Sequence, residues 1–161
     1  GADYIYHTFT PTSVSAQNDS VVFNTGVAQK LYSHETAFYV LDDFELNDVI
    51  KINAGLRYSM YHHVGPFTRY IKGDGISTPD SAIQYSKGDV IKFYNGLEPR
   101  ISARFLLPDK SSIKAGYSYN YQYVHLTSLS AVSLPTDIWY PSTEKAKPEI
   151  GWQASIGYFR H

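Results

Sequence analysis

The amino-acid sequence predicts an all-β fold of antiparallel, up-and-down strands, of the kind found in transmembrane β-barrels. Three observations support this prediction. Apolar and polar residues alternate with a period of two over long stretches, which is typical of strands with two different faces. Short and long connections alternate strictly along the chain, as in barrels with short periplasmic turns and long outer loops. Tyrosine supplies 15 of the 161 residues, and amphipathic aromatic rings collect where a membrane meets water.

The first two predicted strands have the weakest patterns and the third has the clearest. Residues 4–9 are predicted to form a strand whose beginning is incomplete, and residues 33–40 alternate until the pattern blurs at residues 41–44. In residues 50–60 every even position is apolar or aromatic, while Lys51 and Arg57 occupy odd positions. A slip of one residue would move both charges to the apolar side, so the register of this strand is strongly specified.

Three later strands repeat the alternation. The strand at residues 97–107 is apolar at odd positions and carries Glu98, Arg100 and Arg104 between them. The strand at residues 113–123 has mostly Tyr at odd positions and polar residues or Gly at even positions, and the last strand covers residues 150–158. About six strands are therefore predicted. The clearest of them reach about 11 residues, which exceeds the usual ~5–6 and matches the ~9–11 of a tilted membrane-crossing strand.

The connections between these strands are of two kinds. Residues 45–48 and 108–112 are short turns that contain the Asn, Asp and Pro residues favoured in turns. The other connections, at about residues 10–31, 63–93 and 125–147, are long and rich in Ser, Thr, Asp, Gly and Pro. We therefore expect all short turns at one end of the sheet and all long loops at the other.

The two faces of the strands are expected to meet different surroundings. The tyrosines of the strand at residues 113–123 gather toward the long-loop end, and we interpret them as an outer interfacial girdle. A Lys or Arg that faces lipid at the bilayer midplane costs ~2–4 kcal/mol, so the charged face is expected to line a polar lumen. The residues predicted to face that lumen are Arg57, Glu98, Arg100, Arg104, Asn120 and Gln122.

Composition and motifs argue against several classes of protein. The formal net charge of -1 lacks the basic excess of a nucleic-acid-binding protein. The absence of Cys removes disulfides, thiolate nucleophiles and Cys-based zinc sites. The sequence also contains no recognisable catalytic or nucleotide-binding motif. We therefore predict that the protein is not an enzyme, and we predict no cofactor, no metal site and no nucleic-acid partner.

Several segments, taken together, resemble a known family. They are the hairpin of residues 37–48 and 52–58, the segments 97–102 and 112–118, and the stretch 134–142 followed by Lys147, Pro148 and Glu149. In this order and spacing, over roughly residues 32–160, they resemble TonB-dependent outer-membrane receptors. The stretch at residues 134–149 resembles the Bacteroidetes branch of these receptors.

The resemblance implies a barrel segment of a receptor in the Gram-negative outer membrane. Its implied partners are TonB, a plug domain, outer-membrane lipid and a nutrient such as a siderophore, a glycan or a peptide. Such receptors have about 22 strands, whereas about six strands, no plug domain and no TonB-binding box are recognised here. We therefore expect residues 1–161 to form a C-terminal-half segment of a barrel. In isolation, a sheet with two free edges and one apolar face is expected to self-associate.

Candidate ligand-binding residues lie in or next to the long loops. Trp139 and Tyr140, beside Asp137, would stack on a sugar ring or cover an apolar ligand; the alternative is that they fold the loop onto itself. Tyr61 and His63 lie where a strand meets a long loop, so that a girdle position or a plain loop role competes with ligand contact. For the charged lumen residues, contact with a plug or an anionic ligand competes with simple stabilisation of the barrel wall.

Two other classes of protein remain open at this point. One is a small outer-membrane barrel that acts as an adhesin or a structural protein, for which about eight strands would be the expected minimum. The other is a soluble β-sandwich that binds a ligand such as a carbohydrate. In a soluble sandwich the tyrosine-rich face would be internal, and the chain would be monomeric without detergent.

Overall fold

The structure of the chain, a computed structural model, describes residues 1–10, 15–18, 21–24, 29–72, 79–127 and 138–160. Within these ranges every regular element is a β-strand, which confirms the all-β prediction. The described part of the chain contains no helix that is long and apolar enough to cross a membrane.

Among the described residues, six strands form one antiparallel sheet, and each of them overlaps one of the six predicted strands. Each pairs with the sheet strand that precedes it in the chain, in the order β1-β4-β5-β8-β9-β12, which is the predicted up-and-down arrangement. Their bounds are Ala2–Phe9 (β1), Leu31–Glu45 (β4), Ile50–Val64 (β5), Val90–Leu106 (β8), Ser112–Gln122 (β9) and Glu149–Phe159 (β12).

The three long connections contain short strands that the sequence analysis treated as loop. These strands pair as two-stranded antiparallel ribbons, β2 with β3, β6 with β7 and β10 with β11. The prediction was wrong here because segments of only four to seven residues are too short to show a clear alternation. Their bounds are Ser15–Asn18 (β2), Val21–Asn24 (β3), Phe67–Lys72 (β6), Pro79–Tyr85 (β7), Val124–Thr127 (β10) and Ile138–Pro141 (β11).

The two short turns close on side chains that accept hydrogen bonds from the backbone. Asn47 Oδ1 accepts from the amides of Val49 (3.0 Å) and Ile50 (2.8 Å), so that β4 turns directly into β5. Between β8 and β9, Asp109 Oδ1 accepts from both the amide and the hydroxyl of Ser111. Asn and Asp favour such turns because their short polar side chains mimic a backbone turn.

The turn at Asp109 carries a pH-dependent prediction. The two Ser111 hydrogen bonds hold the pKa of the Asp109 carboxyl below its usual value. The carboxylate therefore stabilises the turn above the unfolded-state pKa of about 3.9, and this contribution is lost as the pH falls through the lowered pKa. We expect Asp109→Ala to lower the thermal midpoint at neutral pH. Asp109→Asn, which keeps the acceptor oxygen, should retain most of the midpoint and lose the part of its pH dependence that arises from this carboxyl.

Thermal unfolding followed by circular dichroism checks this prediction. The measurements run from about pH 5 down to about pH 3, a range that spans the unfolded-state pKa. The thermal midpoint of the unmodified chain should fall more steeply with acidification than that of the Asp109→Asn variant. Identical slopes for the unmodified chain and the Asp109→Asn variant would contradict it.

The sheet has one polar and one apolar face, as the alternation predicts. Directly paired residues share a face, so the pairs Arg57–Glu98 and Gly55–Arg100 define the polar face, while Ile52 and Ala103 define the apolar face. Large side chains on the apolar face are exposed, up to 82% for Ile156. In an isolated sheet of this kind, nothing packs against the apolar surface that lipid would cover in a membrane.

Most of the buried residues lie instead on the polar face toward the long loops. Ser33, Ala37, Ser59, Tyr61 and His63 are all buried there. Residues of the last long connection cover them, and β11 contacts both β1 and β4. The long-loop end of the polar face is therefore the best-packed part of the described chain.

The predicted girdle position of two tyrosines is wrong. Tyr123 is buried and its hydroxyl lies 2.8 Å from Ser59 Oγ, and the ring of Tyr121 lies against Gly96, the pairing partner of Ser59. Both rings therefore pack on the polar face. β9 stops at Gln122, so Tyr123 is free to turn inward. Within β9, Tyr121 still pairs with Ile150 of β12, and its ring reaches the polar side over Gly96.

Candidate ligand site at the long-loop end

The last long connection folds back onto the polar face through a tight turn, which we call the inner turn (residues 141–146). The amide of Ser142 donates to the carbonyl of Tyr123 at 2.7 Å. The Tyr94 hydroxyl donates to the carbonyl of Thr143 at 2.8 Å. The first three residues of the inner turn are buried, so it seals the long-loop end of the polar face.

Beneath the inner turn lies a stack of tyrosines with a polar anchor. The rings of Tyr61 and Tyr123 are nearly parallel, with centroids 5.0 Å apart. Ser59 Oγ donates to Glu98 Oε1 at 2.5 Å and therefore accepts from the hydroxyl of Tyr123. Tyr123 lies beyond the end of β9, and burial, followed by the charges of nearby carboxylates, raises the pKa of its phenol to about 12. The phenol stays protonated at neutral pH and keeps its role as donor.

The same chain of contacts continues toward the middle of the sheet. Arg57 Nη1 donates to Asp3 Oδ2 at 2.6 Å, and Arg57 Nε lies 3.9 Å from Glu98 Oε2. Arg57, Glu98, Arg100 and Asn120 line one hollow of about 250 Å³ on the polar face. Arg57 is paired with Asp3 and lies near Glu98, so positive and negative charges offset one another in this hollow.

The remaining predicted lumen residues share this face without joining the hollow. Arg104 pairs in register with Lys51 and Lys114, and its Nε is buried without a hydrogen-bond partner among the described residues. Gln122 donates from its amide to the carbonyl of Val124 at 2.8 Å. All six predicted residues thus lie on one face of the sheet, at different heights.

A second cavity, of about 310 Å³, lies between the β6–β7 ribbon and the inner turn. It brings together two of the predicted ligand-binding residues, His63 at the end of β5 and Tyr140 in β11. His63 is only 2% exposed, and neither ring nitrogen has a hydrogen-bond partner among the described residues. Its lining comprises Gln29, Leu31, His63, Phe67, Thr68, Arg69, Tyr70, Ile91, Tyr140, Thr143, Glu144 and Lys145.

The other predicted ligand-binding residues are placed differently. Trp139 is 57% exposed and does not line this cavity, since neighbouring residues of a strand point to opposite sides. Tyr61 is fully buried under the inner turn and is not among the residues that line the cavity. Asp137 lies outside the described residues. The structure therefore assembles His63 and Tyr140 at one cavity and leaves Tyr61 and Trp139 outside it.

Sequence reasoning missed most of the cavity. Arg69 and Glu144 form an ion pair at its rim, and Phe67 packs beside His63 with ring centroids 5.9 Å apart. The sequence of β6 offered no signal, because residues 67–71 do not alternate between apolar and polar side chains. No periodicity indicates that this segment meets residue 144, because the contact joins two different loops.

The described residues at this end of the sheet offer groups that can contact a small ligand. No group of three or more His, Asp or Glu side chains within the described ranges is arranged to hold a metal ion. The cavity offers aromatic rings, hydroxyls, one ion pair and one unpartnered imidazole. Seven of the twelve lining residues are polar or charged and five are apolar or aromatic, and sites for small ligands combine apolar and aromatic surface with polar groups that orient the ligand.

Comparison with known proteins gives one match. Residues 1–158 match the family described as TonB dependent receptor-like, beta-barrel. No curated protein and no solved structure matches the chain.

Proposed function

Because the chain belongs to the family of TonB-dependent receptor-like β-barrels, we propose that it forms part of the wall of an outer-membrane receptor that takes up a nutrient. The family is one of outer-membrane transporters, and its full-length members work with TonB and a plug domain. The nutrient would be a siderophore, a glycan or a peptide, and the receptor would belong to the Bacteroidetes branch that residues 134–149 resemble.

The distribution of side chains on the sheet supports this orientation in a membrane. The apolar face carries aromatic rings near the short turns, at Phe44, Phe105 and Tyr158, and again toward the long loops, at Phe38 and Tyr58. Two aromatic levels are the pattern of a barrel's outer surface. Asp42, paired with Ala54, is a charged exception between them on β4. The polar face would then line the lumen, with Arg57 and Glu98 at mid-height.

The pairing of the sheet supports a larger barrel. Among the described residues, β1 and β12 each pair on one side only, so two rows of backbone groups face outward. An open edge within a bilayer is strongly unfavourable, because its amides and carbonyls lack partners. We propose that further strands of the receptor pair with both edges and that the plug domain lies against the polar face.

The observation that carries the ligand-binding role is the cavity beside His63 and Tyr140. It lies at the long-loop end of the polar face, where a ligand arriving from outside the cell would first meet the lumen. The His63 ring nitrogens have no accessible surface, so His63 forms part of the cavity wall. Tyr140, which lines the same cavity and is 37% exposed, is the predicted ligand-binding residue that a ligand could contact.

The test is to replace residues 125–147 of the receptor by a Gly/Ser linker of equal length. We expect the variant to abolish receptor-dependent growth on limiting nutrient while it still assembles in the outer membrane, because the replacement removes Tyr140 and the inner turn and leaves β9 and β12 intact. The measurements are growth of a receptor-deletion strain, complemented with either form, under iron, glycan or peptide limitation. Heat-modifiable electrophoretic mobility reports assembly.

The control is the receptor with Asp109→Asn, which alters the opposite end of the sheet and should support normal growth. Unchanged growth with the linker variant would overturn the assignment of ligand binding to this connection. Recovery of the unmodified receptor from the soluble fraction would overturn the membrane role and favour a soluble binding module.

A further inference from the structure

Three cationic side chains lie next to one another on the polar face, near the short turns. In register, Lys51 of β5 pairs with Arg104 of β8, and Arg104 pairs with Lys114 of β9. We call these three residues the cation row. Directly paired residues of antiparallel strands have Cβ atoms about 4.5–5.5 Å apart, and like charges in such pairs destabilise a sheet. Pairing within the sheet alone therefore does not explain three positive charges side by side.

The two lysines lean away from the central arginine. Lys51 Nζ contacts the carboxylate of Glu45 on β4, on one side of the row. Lys114 Nζ lies 4.6 Å from the centroid of the Phe159 ring on β12, on the other side. A carboxylate and the face of an aromatic ring both attract an ammonium group. Neither lysine is therefore held over Arg104.

Arg104 has no countercharge among the described residues. None of the ion pairs formed by these residues includes it. Its Nε is enclosed and lacks a hydrogen-bond partner, so the guanidinium can bind a ligand only through its terminal nitrogens, Nη1 and Nη2. On this part of the polar face the strand carboxylates are Glu45 and Asp43 of β4, two strands away, which contact Lys51 and Asn53. The cation row with Glu45 thus retains two uncompensated positive charges.

These charges and their geometry match a phosphate group. The terminal N–H groups of a guanidinium donate to two phosphate oxygens at once, and lysine binds phosphate as a point charge. A phosphate monoester carries about −1.5 to −2 charges at pH 7, which compensates the two positive charges that remain. A single carboxylate compensates only one of them. The cation row is therefore better suited to phosphate than to a carboxylate.

We propose that the cation row binds a phosphate group, with Nη1 and Nη2 of Arg104 as bidentate donors and the ammonium groups of Lys51 and Lys114 on either side. This inference rests on the proposed function only in that the polar face lines a lumen, and it does not depend on the nutrient. The phosphate group belongs either to free inorganic phosphate or to a phosphate ester within the lumen.

The experiment titrates the full receptor in dodecyl maltoside, without phosphate in the buffer, by isothermal titration calorimetry. The probes are inorganic phosphate and glycerol 3-phosphate, with acetate and glycerol as the carboxylate and uncharged comparisons. We expect saturable binding of inorganic phosphate, weaker binding of acetate and no binding of glycerol. Equal affinity for glycerol 3-phosphate would assign the site to phosphate esters, and binding of inorganic phosphate alone would assign it to the free ion.

Variants of the central residue test its role. Arg104→Gln should weaken phosphate binding about 10–100-fold, the loss of hydrogen bonds to a charged group. Arg104→Lys keeps the charge without the two parallel donors and should lose only part of the affinity. The matched control is Lys110→Gln, which removes one positive charge from the short turn after β8, outside the cation row, and should bind phosphate normally.

Stability without phosphate gives a second readout. Arg104→Gln relieves the repulsion between directly paired cations, so it should unfold at or above the urea concentration of the unmodified receptor. If the cation row only stabilised the barrel wall, the same variant would unfold at a lower concentration. A lower urea midpoint together with unchanged phosphate binding would therefore overturn the inference.

The remaining outcomes separate this inference from the proposed function. Absence of saturable phosphate binding, preference for acetate, or equal effects of Arg104→Gln and Lys110→Gln would overturn it. Carbodiimide cross-linking of Lys51 or Lys114 to a carboxylate outside residues 1–161 would assign the row to a protein segment and also overturn it. If Arg104→Gln fails to assemble, as judged by heat-modifiable mobility, Lys114→Gln decides. Loss of outer-membrane location or of receptor-dependent growth would instead overturn the proposed function itself.

Discussion

Replacing Tyr61 by alanine is expected to lower the free energy of unfolding of the receptor by about 3–5 kcal/mol, the cost of deleting a fully buried aromatic ring. Tyr61 has no exposed surface, and its ring stacks on Tyr123 beneath the inner turn. Truncation would remove this stack and leave a cavity between β5 and the inner turn. Urea unfolding in phospholipid vesicles, followed by intrinsic fluorescence, measures the change.

The matched control is Tyr61→Phe, which separates the ring from its hydroxyl. Ser33 and the backbone of Ser142 lie near the Tyr61 hydroxyl, but neither meets it in hydrogen-bonding geometry. Removal of an unsatisfied buried polar atom is nearly neutral or stabilising, so Tyr61→Phe should unfold at or above the urea midpoint of the unmodified receptor. A large loss in Tyr61→Phe would mean that the hydroxyl has a partner, and equal losses in both variants would refute the stacking argument.

The main sheet was predictable from the sequence because lipid and lumen impose a strict period of two. Lys51 and Arg57 fix the register of β5, and the same reasoning places Glu98 and Arg100 beside them on the polar face. The strand ends were less predictable. The prediction started β8 at residue 97, whereas it begins at Val90, since beyond the predicted membrane level both faces of the strand tolerate polar residues and the alternation fades.

The candidate site was predictable only in part, because its residues come from segments far apart in the chain. The sequence singled out His63 and Tyr140 by their chemistry, but nothing in it indicated that β6 and the inner turn enclose one cavity with them. Arg69 and Glu144 were missed for the same reason. Their pairing depends on how two loops fold over the sheet, and periodicity describes only the strands within it.

The inward position of the Tyr121 ring has a local cause in the neighbouring strand β8. A tyrosine ring can lie flat on the polar face only where the neighbouring strand leaves space, and Gly96 leaves that space on β8. Aromatic packing over a strand glycine is a recognised way to compensate for the missing side chain. The glycine therefore allows the tyrosine stack to form, and the stack in turn supports the inner turn that encloses the ligand cavity.

Gly96→Ala is accordingly expected to destabilise the receptor by about 1–3 kcal/mol, the usual cost of overpacking. A Cβ at this position would lie 2.2 Å from Cε2 of the Tyr121 ring, so the ring must move. Tyr121 contacts Tyr123, with ring centroids 6.2 Å apart, and the displacement would pass to the Tyr123–Ser59 hydrogen bond. Urea unfolding in vesicles measures the loss, and ligand binding should fall with it.

Gly151→Ala provides the control, because it makes the same chemical change in another strand of the same sheet. A Cβ at Gly151 meets no atom within 4 Å, so alanine should be neutral there or stabilise by about 0.4–1 kcal/mol through reduced freedom of the unfolded chain. If the two alanine variants unfold at the same urea concentration, the ring of Tyr121 does not depend on Gly96, and the support of the inner turn must come from the Ser142–Tyr123 backbone contact alone. A loss of stability in Gly96→Ala but not in Gly151→Ala would mean that the shape of the ligand cavity depends on the absence of a side chain at position 96 of β8.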